Sequence, residues 1–184
     1  RTELETLVEL QSFIALRLAD ITGLFVSTRR RRGKVDVEAE VARVARVFAA
    51  TLRQAGISLE VFTVGSPLIV KTVHAALFQA LVNLVDNAIH WVAASPGGQK
   101  LIEIRIDSDA QTVVVADSGA GVAEIDTPYI FDAFYSAKGD DGKGLGLYIA
   151  RSVGERAGFA VNYMGNDPTL SGAHFEVRFD EVAS

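Results

Sequence analysis

Over residues 3–28, Leu4, Leu7, Ile14, Leu18, Ile21 and Phe25 follow alternating three- and four-residue steps, with Gln11 the only polar member of the series. That spacing predicts one long helix carrying a heptad seam. Leu10, Phe13, Leu16 and Leu24 widen its apolar surface, so the chain's own domain, a second helix or a second subunit must cover it. Past Gly33 the pattern restarts. Asp36 suits an N-cap, Val37, Val41, Val44, Phe48 and Leu52 form one stripe, and Gly56 suits a C-terminal stop. Residues 57–62 are short and β-branched, which predicts a strand. Gly65-Ser66-Pro67 then breaks the chain before a second long helix, which Ser95-Pro96-Gly97-Gly98 ends.

Beyond that break, Ile102, Ile104 and Ile106 alternate with Glu103 and Arg105, and residues 113–116 follow a turn at Asp109-Ala110-Gln111, predicting a hairpin. Residues 145–157 read as a helix. Residues 159–164 and 173–179 read as a last pair of strands, with Phe175, Val177 and Phe179 facing in and His174, Glu176 and Arg178 facing out. The sum is an α+β chain with a mixed, largely antiparallel sheet under helices on one face. Residues 1–32 divide from residues 33–184 as an N-terminal helix and a separate globular domain.

Composition narrows the class. The 184 residues are 49% apolar and 22% charged, as for a globular chain, and a net charge of -5 gives no general case for nucleic acid. The run Arg29–Arg32 is read as a solvated helix end suited to the helix dipole, with an RNA, DNA or lipid contact as the alternative. There is no cysteine, which excludes disulfides and thiolate chemistry. No apolar run is long enough to span a bilayer and no signal peptide is visible, so a cytoplasmic location is expected for this stretch, while a longer protein could still be membrane-attached. Starting at Arg1 rather than Met suggests a piece of something longer.

The chemistry concentrates in four places. On the second long helix, Leu77, Leu81, Leu84, Ala88 and Trp91 mark a core stripe, while Ala76, Ala80, Asn83, Asn87 and His90 share a small, polar face. A buried amide without a partner costs roughly 1–3 kcal/mol, so that face must meet polar structure or a ligand. An amide oxygen also suits a hard cation such as Mg²⁺. Next comes Asp117-Ser118-Gly119-Ala120-Gly121, a carboxylate at a strand end before two glycines that permit close backbone approach. Such a carboxylate can accept from an exocyclic amine, although Asp-Ser-Gly turns are common without any ligand. Third, Gly142-Lys143-Gly144-Leu145-Gly146-Leu147 runs into a helix, where exposed amides and Lys143 suit phosphate oxygens; a plain helix start is the alternative. It lacks the Walker spacing. Between these lies a segment from Tyr129 to Asp141, with Phe131 and Phe134 as anchors and a Gly/Asp-rich tail. It suits a lid that brings Lys138 to phosphates, or an ordinary surface loop.

In this order the four elements resemble the ATP-binding domain of the histidine kinase, gyrase, Hsp90 and MutL superfamily. Asn83 to Ala88 resembles its N box, Asp117 to Gly121 its first glycine box, Phe131-Asp132-Ala133-Phe134 its F box and Gly142 to Leu147 its second glycine box. Gly172-Ala173-His174-Phe175 is similar to its last strand, with Ala173 where threonine is common. The resemblance implies a Bergerat-type two-layer α/β sandwich. It implies ATP as ligand, with the adenine amine on Asp117, Mg²⁺ on Asn87 supported by Asn83, and phosphates held by the amides of Gly144, Leu145, Gly146 and Leu147. Gly119, Gly121, Lys138, Gly142 and Lys143 join the nucleotide-binding set by the same resemblance. His90 stands where kinases usually carry Lys or Arg, and Trp91 replaces a frequent tyrosine, so both are candidate nucleotide neighbours.

Asn83 separates branches of that superfamily. Gyrase, Hsp90 and MutL relatives carry a glutamate there as general base, and an amide cannot take a proton at neutral pH. A kinase acting on histidine depends less on such a base, because neutral imidazole is itself a nucleophile. The resemblance therefore implies the catalytic domain of a two-component sensor histidine kinase, a homodimer through its N-terminal helix, with a response-regulator receiver domain downstream. No histidine precedes His74, and His74 lacks an acidic neighbour, so the phosphoacceptor is expected outside this chain and residues 1–32 are expected to be the second helix of a dimerisation hairpin. An ATPase driven by lid closure and a nucleotide-free interaction module remain as alternatives.

Overall fold

The computed structural model describes residues 32–136, 144–166 and 170–180; the predicted N-terminal helix, and Lys138, Gly142 and Lys143, lie outside them. Helix α1 (Val37–Ala55) has both expected ends. Asp36 Oδ1 accepts from the Ala39 amide at 3.0 Å, and Gly56 closes the helix at φ 66°. The stripe Val37, Val41, Val44, Phe48 and Leu52 is buried as the spacing requires. Helix α2 (His74–Ala94) carries the amide face, and α3 (Gly146–Ala157) begins one residue later than expected.

The main sheet has the order β2 (Ser58–Val64), β4 (Leu101–Asp107), β5 (Thr112–Asp117), β7 (Ala173–Phe179), β6 (Phe159–Asn166). Its pairs are antiparallel except β2 with β4. The expected hairpin is β4–β5, with Ile102 opposite Asp117 and Asp107 opposite Thr112. Ile102, Ile104 and Ile106 lie fully buried with Val113, Val115, Phe175 and Val177, and Leu77, Leu81, Leu84 and Val85 of α2 complete that core. Phe159 and Phe179 meet at 5.9 Å between centroids, closing it beneath α3. At the open edge, β2 shows Val61, Phe62 and Val64 to solvent.

Two departures from the sequence expectation have physical causes. Two four-residue strands, β1 (Gly33–Asp36) and β3 (Ile69–Thr72), form a separate antiparallel pair that was not expected, being too short to show a period of two. Thr72 Oγ1 donates to the buried Ala157 carbonyl at 3.0 Å and so ties this pair to the end of α3. Glu176, expected outward, is only 7% exposed. Its carboxylate accepts from Arg178 Nη2 at 2.9 Å and Nε at 3.1 Å, which supplies the compensation a buried charge requires. Glu40, on the core side of α1, is likewise buried, with His74 Nε2 at 3.0 Å from its Oε1.

Candidate functional site

Helix α2 is hydrophobic on nearly all sides, and its polar stripe survives because each member has a specific setting. Asn83 is 7% exposed, and its Nδ2 donates to the Gln79 carbonyl one turn back at 2.9 Å. Its Oδ1 faces the first residue of α3, where a Cβ placed on Gly146 would come within 3.3 Å of it. Asn87, one turn on, is half-buried, and its side chain makes no hydrogen bond to another described residue. His90 and Trp91 continue the stripe, ring edge to ring face at 5.2 Å. Trp91, expected on the core stripe, is partly exposed.

At the far end of the stripe, a Cβ on Gly119 would come within 2.9 Å of Trp91 Cβ. The two glycine segments therefore touch the same helix at Asn83 and at Trp91, eight residues or about 12 Å apart, with Asn87 between them. Close approach is what glycine contributes at both contacts.

Asp117 ends β5 beside this helix and is 2% exposed. Its Oδ1 accepts from the Gly119 amide at 2.8 Å and the Ala173 amide at 3.4 Å. Oδ2 takes no bond among the described residues. Burial pushes the carboxyl up to about 6, against the opposite pull of those two amides. Ser118 secures the turn from behind, accepting from the Leu101 amide at 2.9 Å and donating to the Gln99 carbonyl at 2.6 Å.

Gly172, the residue before β7, belongs to the segment similar to the family's last strand, and it packs against Asp117. A Cβ on it would come within 2.6 Å of the Asp117 carbonyl carbon, so the Asp117 backbone rests directly on it. Gly172→Ala is expected to cost about 2–3 kcal/mol in urea unfolding, as overpacking against backbone does, and to displace the carboxylate.

Leu145, the N-cap of α3, makes no side-chain cap, and no acidic residue occupies the first turn. Among the described residues no side chain caps the amides of that turn, which lack intrahelical acceptors and form the positive end of the helix. Gly144, at φ 63°, sits under the F box, and its carbonyl accepts from the Phe134 amide at 2.9 Å. Phe134 itself has φ 68° and is 78% exposed. Phe131 instead points inward, edge-on to Phe175 at 6.1 Å, with the Arg151 guanidinium 3.4 Å over its ring. The structure thus brings Asn83, Asn87, His90, Trp91, Asp117, Gly119, Gly144, Leu145, Gly146 and Leu147 around one face of α2 and its two glycine contacts. Gly121 stands farther out, against Asn166.

Two further residues support this wall without any local sequence signal. Asn166 Oδ1 accepts from the Val122 amide at 2.9 Å, and its Nδ2 donates to the Val122 carbonyl at 3.0 Å. Tyr163 donates its hydroxyl to the same Oδ1 at 2.6 Å. Burial, and then the charge of Asp117, push the Tyr163 phenol up, which keeps that proton in place.

A nucleotide-binding α/β sandwich is the class to which these features point. Residues 72–183 match the family of histidine kinase-, DNA gyrase B-, and HSP90-like ATPases, and the chain belongs to that family. The Sensor protein SphS of Synechococcus elongatus is 34% identical over 119 residues, covering 59% of this chain and 28% of that protein. The chain therefore spans under a third of that relative. Among solved structures, the catalytic domain of histidine kinase ThkA aligns at a TM-score of 0.65 with 25% identity, over 79% of this chain and 93% of that one. Full-length ShkA in complex with AMPPNP aligns at 0.68 with 24% identity, over 98% of this chain and 37% of that one, and shows the shared fold. Among the described residues no helix is long and apolar enough to cross a membrane.

Proposed function

We propose that residues 33–184 are the ATP-binding catalytic domain of a two-component sensor histidine kinase, which transfers the γ-phosphoryl of ATP to a histidine outside this chain. The observation that carries this is the bracketing of one α2 face: at one end a buried carboxylate whose Oδ2 takes no bond among the described residues, and at the other a helix N-terminus with no side-chain cap among them. The carboxylate suits the adenine amine, and the amides of Gly146 and Leu147 with the Gly144–Leu145 turn suit phosphate oxygens. Asn87, whose side-chain amide is unengaged among the described residues, is the metal ligand. The described residues hold no group of three or more acidic, His or Cys side chains suited to a metal, so the donor set suits an ion held mainly by phosphates and water. Mg²⁺ bound there supplies charge neutralisation on the triphosphate.

Asn83 positions. With Nδ2 committed to Gln79, it offers its carbonyl oxygen toward Gly146 and no base, which favours transfer to an imidazole over activation of water. His90 and Trp91 are neighbours of the nucleotide, and Lys138, Gly142 and Lys143 are assigned to its phosphates by their place in the motif. Residues 1–32 are assigned to dimerisation, and a receiver domain of a response regulator is the downstream partner.

The reading is tested by titrating the chain with a non-hydrolysable ATP analogue and Mg²⁺ in a calorimeter. Saturable heat is expected, and intact protein with neither heat nor a thermal shift overturns it. A longer native chain should then form acid-labile, base-stable phosphate from ATP. The same phosphate on this chain alone would contradict the placement of the acceptor outside it.

A further inference from the structure

We infer that Asn166 and Tyr163, at the end of β6, are positioning residues for the nucleotide site, clamping the loop that follows Asp117, and that glycine is required at 121 to seat this clamp. The inference rests on the proposed nucleotide function for its purpose, and on side-chain geometry for its existence. Asn166 is 44 residues from Val122 in sequence, yet its one amide engages both the N–H and the C=O of that residue. A primary amide facing a peptide group in this way imitates a strand pairing, so the loop is held as if it had a neighbouring strand. Tyr163 fixes the amide in turn, by its hydroxyl bond to Oδ1 and by packing on Phe175 at 5.5 Å between centroids. Phe175 is the ring on which Phe131 of the F box rests. One continuous set of contacts thus runs from Arg151 and Phe131, through Phe175 and Tyr163, to Asn166 and the loop beside the buried carboxylate.

Gly121 lies under this amide. A Cβ there would come within 2.6 to 2.8 Å of all three terminal atoms of Asn166, and the residue has φ 73°. Both facts demand glycine for reasons internal to the fold. A glycine kept to admit a ligand would face open space or the α2 stripe, and this one faces a side chain from another strand.

The test combines amide exchange with nucleotide affinity. Asn166→Ala should speed hydrogen exchange at the Val122 amide by at least about tenfold, the equivalent of roughly 1.4 kcal/mol of lost protection. It should also weaken binding of an ATP analogue by about tenfold. Asn166→Asp keeps the acceptor for Val122 N–H but sets a second acceptor against the Val122 carbonyl, so it should recover only part of the exchange protection, a partial rescue that generic loosening of the fold would not give. Gly121→Ala should weaken analogue binding more than Asn166→Ala does. In the Asn166→Ala background, Gly121→Ala should add only a further factor of about three, the residue of its backbone strain. Val122 exchange unchanged in Asn166→Ala overturns the clamp. Fully multiplicative losses in the double variant overturn the account of Gly121, assigning that glycine to ligand approach. If the unsubstituted chain binds no analogue, the functional reading fails while Val122 exchange still decides the clamp.

Discussion

Asn87→Ala is expected to lower Mg²⁺-dependent phosphoryl transfer by a hundredfold or more, on the order of the loss when one preorganised group at a developing charge is removed, while leaving the fold as stable as before. The asymmetry follows from its surroundings. Asn87 is half-buried on α2 and its side chain bonds to nothing among the described residues, so truncation orphans no described partner. Alanine is also the better helix former, by up to about 0.7 kcal/mol. Measured on a longer native chain that carries its phosphoacceptor, the rate should collapse while the thermal midpoint holds or rises. Asn87→Asp, which restores an oxygen ligand, should recover part of the rate. A rate for Asn87→Ala within threefold of the parent would remove this residue from metal binding. Asn83→Ala makes the contrast, because it also frees the Gln79 carbonyl contact in a buried setting and should lose stability along with rate.

Asp117→Asn is expected to raise stability and abolish nucleotide binding together. The carboxyl, pushed up to about 6 by burial, has its ordinary value of 3.8 in the unfolded chain. A folded-state value above the unfolded one means the folded protein prefers the neutral acid. The preference is fully present below pH 4 and is lost as pH rises through 6, a difference of about 3 kcal/mol. At pH 7.5 the protein therefore carries a buried, ionised group at a cost, and asparagine removes that charge while keeping an oxygen for the Gly119 and Ala173 amides. Its other atom becomes a donor facing the adenine amine, which is also a donor. Chemical denaturation at pH 7.5 should show the variant more stable than the parent, and calorimetry should show binding weakened by at least a hundredfold. In the parent, affinity for an adenine nucleotide should climb as pH rises from 5 to 7. Flat affinity across that range would mean the carboxylate's charge plays no part in binding. Stability given up at one buried group in return for recognition is a common cost of functional sites.

Much of this was legible locally. The ends of α1 were marked by a capping aspartate and a left-handed glycine, and its buried stripe by spacing, because each depends on residues within one turn. The order of Asn83–Ala88, Asp117–Gly121, Phe131–Phe134 and the second glycine segment named the family before any coordinates, and the family match spans residues 72–183. What stayed hidden depends on contacts across the fold. That β2 runs parallel to β4 is decided by where the chain returns after α2, and no residue in either strand records it. The burial of Glu176 follows from Arg178 folding over it, in a strand whose alternation points the other way. Gly172 under Asp117 and Asn166 over Val122 are pairings across more than forty residues, and although Gly172 fell within a motif, neither partner is recorded in any window of the sequence.

The exposed edge of the sheet bears on how concentrated this domain can become. Strand β2 offers seven residues without proline or lysine, with Val61, Phe62 and Val64 toward water and Glu60 as its only charge. A long apolar edge with open backbone groups is a template for unwanted pairing between molecules, and natural sheets blunt it with charge. Glu60 is the one charge on this edge, so Glu60→Ala is expected to leave thermal stability within about 0.5 kcal/mol while lowering the concentration at which the domain aggregates.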